Sequence, residues 1–298
     1  MPDIKWEISV FVSRWRNRLR YLFKIPATYR NWWTVFLPKF GVSVVLELRN
    51  GLRYLVRPGT TDLAVVNEAA MLDPYLGSGY LTLAKDSVVV DIGANIGDFT
   101  MQLARLCPQG QVIAVEPVSE HVRAIAVQTL LNGFGNVTTM HVALGSQEGQ
   151  IDIHIEGGHS SAYWGEGTTE TVRITTLPQL MRELKIDQIA LLKLDCEGAE
   201  WDILPAAEEV LPNIQQICME FHCSQGWSPE KLAAWLRERG YQVRHTPGPW
   251  NGLLWASRMR PSEELAAVQG DQRGAGQEAQ MVAAHGSEID RVNHETGA

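Results

Sequence analysis

Val88-Val89-Val90-Asp91-Ile92-Gly93-Ala94-Asn95-Ile96-Gly97-Asp98-Phe99-Thr100 is the stretch that decides the fold. Its three valines form a short apolar run with no polar alternation, as expected of a strand buried on both faces of a parallel sheet. The run stops at an acid and two spaced glycines, and a helix is predicted from Phe99 to Leu106. Strand, glycine turn and helix in that order make the first unit of a doubly wound sheet, whose ligands bind beyond the carboxyl ends of the strands. Gly93 would let the backbone turn and approach a ligand, and Gly97 would let the helix sit close to the strand. The helix start presents free N–H groups and a partial positive charge.

The same alternation continues downstream. Val112–Val115, Val137–Val142, Ala190–Leu194 and Ile214–Glu220 read as further strands. Helices are predicted over His121–Leu131, from about Glu200, and over Pro229–Arg239. Tyr241–His245 and Leu253–Ala256 would close the sheet as an antiparallel pair, and Gln150–Ile155 with Thr171–Ile174 resembles a polar hairpin insertion. The fold class is therefore α/β, Rossmann-like, with a mostly parallel seven-stranded sheet and helices on both faces. Upstream, Val44–Leu48 and Leu52–Val56 flank Asn50-Gly51, which predicts a hairpin with a type I′ turn, and a helix follows from Asp62, as its N-cap, to Leu72. The domain reading is 1–40 a basic amphipathic segment, 41–85 a hairpin-and-helix cap, 86–260 the main domain, and 261–298 a polar tail too poor in apolar residues to fold.

The totals narrow the class of function. Across 298 residues the net charge is -8, which argues against a nucleic-acid partner. The first forty residues run the other way, with eight basic groups against Asp3 and Glu7. Apolar residues recur there at helical spacing from Ile4 to Phe23. Such a helix packs on its own domain or a second subunit, or lies on an anionic membrane surface. Trp32, Trp33 and Phe36 offer a self-association surface. Cys107, Cys196, Cys218 and Cys223 contain no C-x-x-C pair and read as reduced thiols of a cytoplasmic protein. No apolar run spans a bilayer, and no secretory signal opens the chain. The expected location is cytoplasmic, with the inner membrane face as the peripheral variant.

Two cofactors compete for the glycine turn. A nicotinamide dinucleotide would be cradled by G-x-G-x-x-G, but here the spacing is G-x-x-x-G and Asn95 stands at the second glycine. Asp91 would repel a pyrophosphate and attract the sulfonium and ammonium groups of S-adenosylmethionine. Glu116, ending the second strand before Pro117, can accept hydrogen bonds from ribose hydroxyls. The loop from Ala143 to Ser146 would face an adenine by topology. The expected cofactor residues are thus Asp91, Gly93, Asn95, Gly97, Glu116, Ala143 and Asp195.

The chain resembles the FkbM family of methyltransferases. The matching pieces are Asp91 to Gly97, Glu116-Pro117, Val142 to Gly145, Thr175-Thr176-Leu177, and Lys193-Leu194-Asp195-Cys196-Glu197-Gly198-Ala199-Glu200. The resemblance covers about residues 86–223 and implies a class I methyltransferase fold, S-adenosylmethionine as cofactor, and methylation of hydroxyl oxygens on sugars, polyketides and other metabolites. One departure is Pro178, at a position often acidic in the family, which leaves the next helix start open.

Methyl transfer to a hydroxyl calls for a base. Candidates gather where the fourth and fifth strands end: Lys193, Asp195, Glu197 and Glu200 on one, Glu220 and His222 on the other. Asp195, His222 and Lys193 are the expected catalytic residues, with Lys193 and Asp195 on one face and able to pair. Glu197 would hold the loop, and Glu200 would act as a helix N-terminal acid. No spacing is diagnostic of a metal, and none is assigned. His154, His159, Ser160, Ser161, Tyr163 and Trp164 are available to line an acceptor pocket. The leading reading is an O-methyltransferase acting on a small-molecule or glycan hydroxyl. The alternatives are a nicotinamide-dependent oxidoreductase and a non-catalytic cofactor-binding module recruited through its N-terminal helix.

Overall fold

In the computed structural model, which describes residues 24–156, 159–161, 168–196, 198–222, 228–246 and 251–258, residues 24–28 are helical and lead to a bridge between Tyr29 and Leu48. The basic helix expected over Ile4–Phe23 and the tail from 261 lie outside the described residues. After the 3₁₀ segment Trp32–Phe40 come β1 (Val44–Glu47) and β2 (Arg53–Val56), paired antiparallel from Val44↔Val56 to Glu47↔Arg53. The hairpin stands, but its turn is not type I′. Only Gly51 takes a positive φ (+95°), its N–H reaching the Leu48 carbonyl at 3.0 Å. Asn50 instead spends its side chain on the Leu52 N–H at 3.0 Å, an alternative to adopting left-handed backbone.

Both flanks of this ribbon are met by amide side chains. On the β1 side, Asn31 donates to the Val45 carbonyl and accepts from the Glu47 N–H, each at 2.8 Å. On the β2 side, Gln128 binds both the N–H and carbonyl of Leu55 at 2.9 Å, and Asn132 does the same for Arg53 at 2.8 and 2.7 Å. Gln128 and Asn132 are four apart on one helix, so they present one face.

The next helix spans the expected residues but changes type midway. α1 (Asp62–Asn67) passes into a π-helical turn, Glu68–Leu72. Thr61, not Asp62, is the N-cap residue. The Asp62 carboxylate lies inside the first turn, bound to the Arg57 N–H, Nε and Nη2 at 2.8–2.9 Å. The guanidinium fork takes the oxygens that a cap would have used.

The main sheet is built from β3 (Val88–Ile92), β4 (Gln111–Val115) and β5 (Val137–Met140), with α2 (Asp98–Leu106) and α3 (Ser119–Asn132) between them. Next in the chain, β6 (Ala143–Leu144), β7 (Gly149–Glu156), β8 (His159–Ser161) and β9 (Thr168–Thr175) form a separate four-stranded sheet in the order β6-β9-β7-β8. Thus the single strand expected over Val137–Val142 stops at Met140. The chain then leaves the main sheet, and Ala143 pairs in parallel with Ile174. The chain returns through α4 (Leu177–Leu184), β10 (Ile189–Leu194), α5 (Glu200–Ala206), β11 (Ile214–His222), α6 (Pro229–Glu238), β12 (Gln242–His245) and β13 (Asn251–Ser257). Pro178 sits in the first turn of α4, where no backbone donor is needed, and Thr176 caps that helix by accepting from the Gln179 N–H.

The seven strands lie in the order β12-β13-β11-β10-β3-β4-β5. All pair in parallel except β13, which runs antiparallel to both β11 and β12. This is the Rossmann-like arrangement that the alternation predicts and the class I fold that the resemblance implies. Apolar clusters cover both faces of the sheet, one around Leu192, Ile217 and Leu204 and another around Val89, Leu191 and Leu103. The hairpin joins a third, in which Leu46, Tyr54 and Val66 pack with Ile96, Met101 and Ile125. The crossover reverses between β3 and β10, whose carboxyl ends lie side by side with Lys193 opposite Asp91.

Candidate active site

Asp91 and Lys193 form a buried ion pair at this reversal, Nζ to Oδ1 3.2 Å. Neither has appreciable contact with water, with side chains 0% and 4% exposed. Thr100 donates to the other Asp91 oxygen at 2.5 Å. Lys193 also donates to the Gly93 carbonyl at 2.8 Å and lies 3.7 Å from Asp195 Oδ2. Burial pulls the ammonium's pKa down, but the Asp91, Asp195 and Asp98 carboxylates outweigh it and hold Lys193 well above a lysine's ordinary value. An ammonium held so firmly is not the base among the candidates, and it pairs with Asp195 as the shared face of the strand predicts. Asp91 is corrected too. It sits behind Lys193 and does not line the cavity, so its charge is spent on the lysine rather than offered to a ligand.

The glycine turn is packed more tightly than a ligand alone requires. A Cβ on Gly93, whose φ is +72°, would come within 1.8 Å of the Asp195 carbonyl oxygen. What Gly93 approaches is therefore the neighbouring strand-end loop. Gly97 (φ +86°) likewise faces Ile125 of α3, where a Cβ would lie 3.3 Å from Cγ1, so it serves helix–helix approach rather than the helix–strand contact expected. The N–H groups of Gly93 and Ala94 go to the Val115 carbonyl at 3.0 and 3.1 Å, and that of Gly97 to the Ala94 carbonyl at 2.8 Å. Asn95, in left-handed backbone with φ +50°, donates its N–H to Glu116 Oε2 at 2.8 Å. Its side-chain oxygen is buried without a hydrogen-bond partner among the described residues.

Glu116 is no solvated loop acid. It is 3% exposed, and its Oε1 accepts from the Val118 N–H at 2.9 Å with His121 Nδ1 at 3.3 Å. These donors fix the carboxylate at the end of β4. Ala143 stands across the same opening, on β6.

At the ends of β10 and β11 a second group converges. Tyr75 donates its hydroxyl to Asp195 Oδ2 at 3.1 Å, and its ring lies against Phe99. Burial first, then the Asp195 charge, push the tyrosine's pKa well above its ordinary value, so it remains a donor. Glu200 folds back over the loop before α5, accepting from the N–H groups of Cys196 at 2.7 Å and Gly198 at 3.0 Å. It does the loop-holding expected of Glu197, which lies outside the described residues. Glu200 is fully buried and lies 3.4 Å from His222 Nδ1, while His222 Nε2 is 3.9 Å from Glu220. Asp195, Glu220 and His222 bring one donor atom each within 4.8 Å of one another, a set that could hold a divalent cation.

Tyr75, Asp195 and Glu220 border a cavity of about 360 Å³ at the carboxyl ends of the strands, a size suited to a small organic ligand. Of the expected residues, Gly93, Asn95, Glu116, Ala143, Lys193 and Asp195 line it. Gly97 and His222 do not line it, and His222 Nε2 lies 3.9 Å from the lining Glu220. Six acidic residues line it (Glu68, Asp98, Glu116, Asp195, Asp202 and Glu220), and Lys193 is the one lysine or arginine lining it among the described residues. Burial chiefly, with the Lys193 charge opposing, pushes the Asp98 carboxyl up to about 8.

Sequence reasoning missed Glu68, Tyr75, Asp98 and His121. Asp98 directly follows Gly97 and was legible from the motif. Glu68 and Tyr75 arrive from the cap, which no spacing announces. Of the residues available for an acceptor pocket, His154 pairs with Thr169 at 3.3 Å on the β7–β9 ribbon and does not line the cavity. Tyr163, Trp164 and the side chains of His159, Ser160 and Ser161 lie outside what is described.

The sequence profile of the methyltransferase FkbM domain matches residues 91–243. The AMB antimetabolite synthetase AmbE of Pseudomonas aeruginosa is 23% identical over 60% of this chain, which spans 10% of that protein. The 2-O-methyltransferase NoeI of Sinorhizobium fredii is 26% identical over 46% of this chain and 63% of its own length. A crystal structure of methyltransferase FkbM from Methylobacillus flagellatus overlaps 66% of this chain and 53% of that one, at 17% identity and a TM-score of 0.43.

Proposed function

The chain belongs to the FkbM family of methyltransferases, and from that premise we propose that it transfers a methyl group from S-adenosylmethionine to a hydroxyl oxygen of a small molecule, secondary metabolite or glycan. The observation that carries this reading is the charge of the cavity lining: five carboxylates, with Asp98 as a sixth acid that ionises near pH 8, against a single ammonium already engaged by two acids. Such a lining favours a ligand with cationic groups and disfavours a pyrophosphate. The glycine turn supports the same choice over a nicotinamide dinucleotide, because the N–H groups of Gly93, Ala94, Asn95 and Gly97 are committed to protein acceptors. Asp91 is withdrawn from the argument, and Glu68, Asp98 and Asp195 take its place.

Bound S-adenosylmethionine would supply a sulfonium methyl group open to in-line displacement. Glu116 would accept from the ribose hydroxyls while its own donors keep it in place. Ala143 and its loop would flank the adenine. Asp195, held by Tyr75, would lie beside the cofactor's charged end. His222 would take the acceptor's proton at Nε2. The buried Glu200 at Nδ1 favours the tautomer with its proton there and supports the imidazolium that forms. That pairing also weighs against a module that only binds, since binding alone has no use for an oriented imidazole. Oxygen as the acceptor atom follows the family and the name of the NoeI relative.

Calorimetric titration with S-adenosylhomocysteine, with NADH as comparison, tests the cofactor. Saturable binding of the former, lost in Glu116→Ala, supports the proposal. A preference for NADH overturns it. Methyl transfer from labelled cofactor to a panel of polyhydroxylated acceptors then tests the reaction.

A further inference from the structure

The segment Trp32–Phe40 has its polarity inverted. It is a 3₁₀ helix, so residues three apart share a row. Its inward row ends in Val35 and Pro38, both buried. The two outward rows hold Trp33, Phe36 and Lys39, and Thr34, Leu37 and Phe40. Four of these six are large apolar residues standing in solvent, with Trp33 58% and Phe40 79% exposed. Trp32, at the head of the inward row, is itself 43% exposed, and Val42 extends the patch beyond Gly41. A contiguous patch of this kind marks a surface that meets something else.

Charge says what. Lys24, Arg30, Lys39, Arg49 and Arg53 are all exposed on this part of the molecule, against Glu47. The first 57 residues carry eleven basic and three acidic groups, while the chain as a whole is at -8. The cap is therefore cationic on an acidic body, and Arg30 and Lys39 put that charge at the aromatic segment itself. A second copy docking symmetrically would set this basic face against itself. An anionic bilayer complements it on both counts, since tryptophan and phenylalanine settle among headgroups and lysine and arginine meet the lipid charge. Among the described residues no helix is long and apolar enough to cross a membrane, so the contact would be peripheral.

We propose that the exposed face of Trp32–Phe40, with Arg30 and Lys39, docks the protein on anionic phospholipid membranes. The acidic body would be turned away from the lipid, leaving the methyl-transfer cavity to face the aqueous side or the headgroup layer. The proposal is independent of the reaction assigned to that cavity.

Flotation of the full chain with phosphatidylcholine vesicles, and with equimolar phosphatidylcholine and phosphatidylserine, tests it. Binding is expected only to the anionic vesicles, falling as salt is raised. Trp33→Ser with Phe40→Ser, and separately Arg30→Glu with Lys39→Glu, should each weaken it about tenfold or more. Unchanged calorimetric binding of S-adenosylhomocysteine would certify that the variants fold. Absence of lipid binding, or equal binding to neutral vesicles, overturns the proposal. So does a concentration-dependent dimer that Trp33→Ser with Phe40→Ser abolishes, because the face would then pair copies. Loss of lipid binding on deleting residues 1–23 while both double variants bind normally overturns it as well, placing the contact in that segment.

Discussion

At the ends of β3 and β10, an aspartate and a lysine are charged and shut away from water; along Trp32–Phe40, tryptophan and phenylalanine stand in it. Each region breaks the usual partition of side chains, in opposite directions. The buried pair is tolerable because every charge there has a counter-charge or a directed donor within 3.7 Å. The exposed aromatics have no comparable internal compensation. The first region explains itself from within the molecule, and the second asks for an outside partner. Substitutions should therefore be costly in the first and nearly silent for folding in the second.

The largest effect is expected at the edge of the charged region. His222→Ala should lower kcat by about 10²–10⁴-fold and leave the calorimetric affinity for S-adenosylhomocysteine unchanged. Turnover that survives would move the proton acceptor to Asp195 or Glu220. Next comes the pair itself. Asp91→Ala strands an ammonium in the interior and should cost about 3–5 kcal/mol in denaturant unfolding. The double variant Asp91→Leu with Lys193→Met should recover most of that loss, since an apolar pair needs no solvation. If the double variant is as unstable as the single, the charges matter for more than each other.

Asp98 gives a smaller, pH-dependent test. Its carboxyl is raised to about 8 and faces Lys193, Asp91 and Glu68. Because the folded value lies above that of the unfolded chain, the contribution to stability is complete below about pH 4 and is lost as pH rises toward 8. A cationic ligand favours the ionised carboxylate. S-adenosylmethionine binding should therefore release a proton at pH 7, and affinity should fall as pH drops below about 8, by at most about tenfold per unit. Calorimetry in two buffers of different ionisation heat measures that release, and Asp98→Asn should remove it. The smallest effect belongs to the exposed region. Trp33→Ser should change unfolding free energy by no more than about 0.5 kcal/mol. Buried Val35→Ala, two residues away, should cost about 2 kcal/mol. A large loss at Trp33 would mean that the patch is covered within the chain.

The sheet was legible because its signal is local. Val88 to Phe99 contains strand, turn and helix in a dozen residues, and β4, β10 and β11 repeat the apolar run. Glu116 was legible for the same reason, as an acid at a strand end before a proline. What failed were directions and distances. The apolar run puts Asp91 near the end of a strand, but whether it meets ligand or lysine depends on β10, a hundred residues away. Glu200 read as a helix acid because its return to the loop requires a buried backbone turn that no periodicity encodes. Glu68 enters the cavity through a π-helical turn where helical spacing predicts a regular helix. The departure of β6 from the main sheet left no trace, because two residues are too few to carry a pattern.

The amide side chains beside the hairpin have a bearing on solubility. A two-stranded ribbon normally leaves open rows of N–H and carbonyl groups that can template growth by another chain. Here Asn31 closes part of one row, and Gln128 and Asn132 close the other at the two residues they reach. The molecule thus exposes sticky side chains next to a backbone that offers little for strand addition. Replacing Gln128 or Asn132 would reopen the β2 row, and a bare strand edge of that kind is where another chain can add and fibrous aggregation can start.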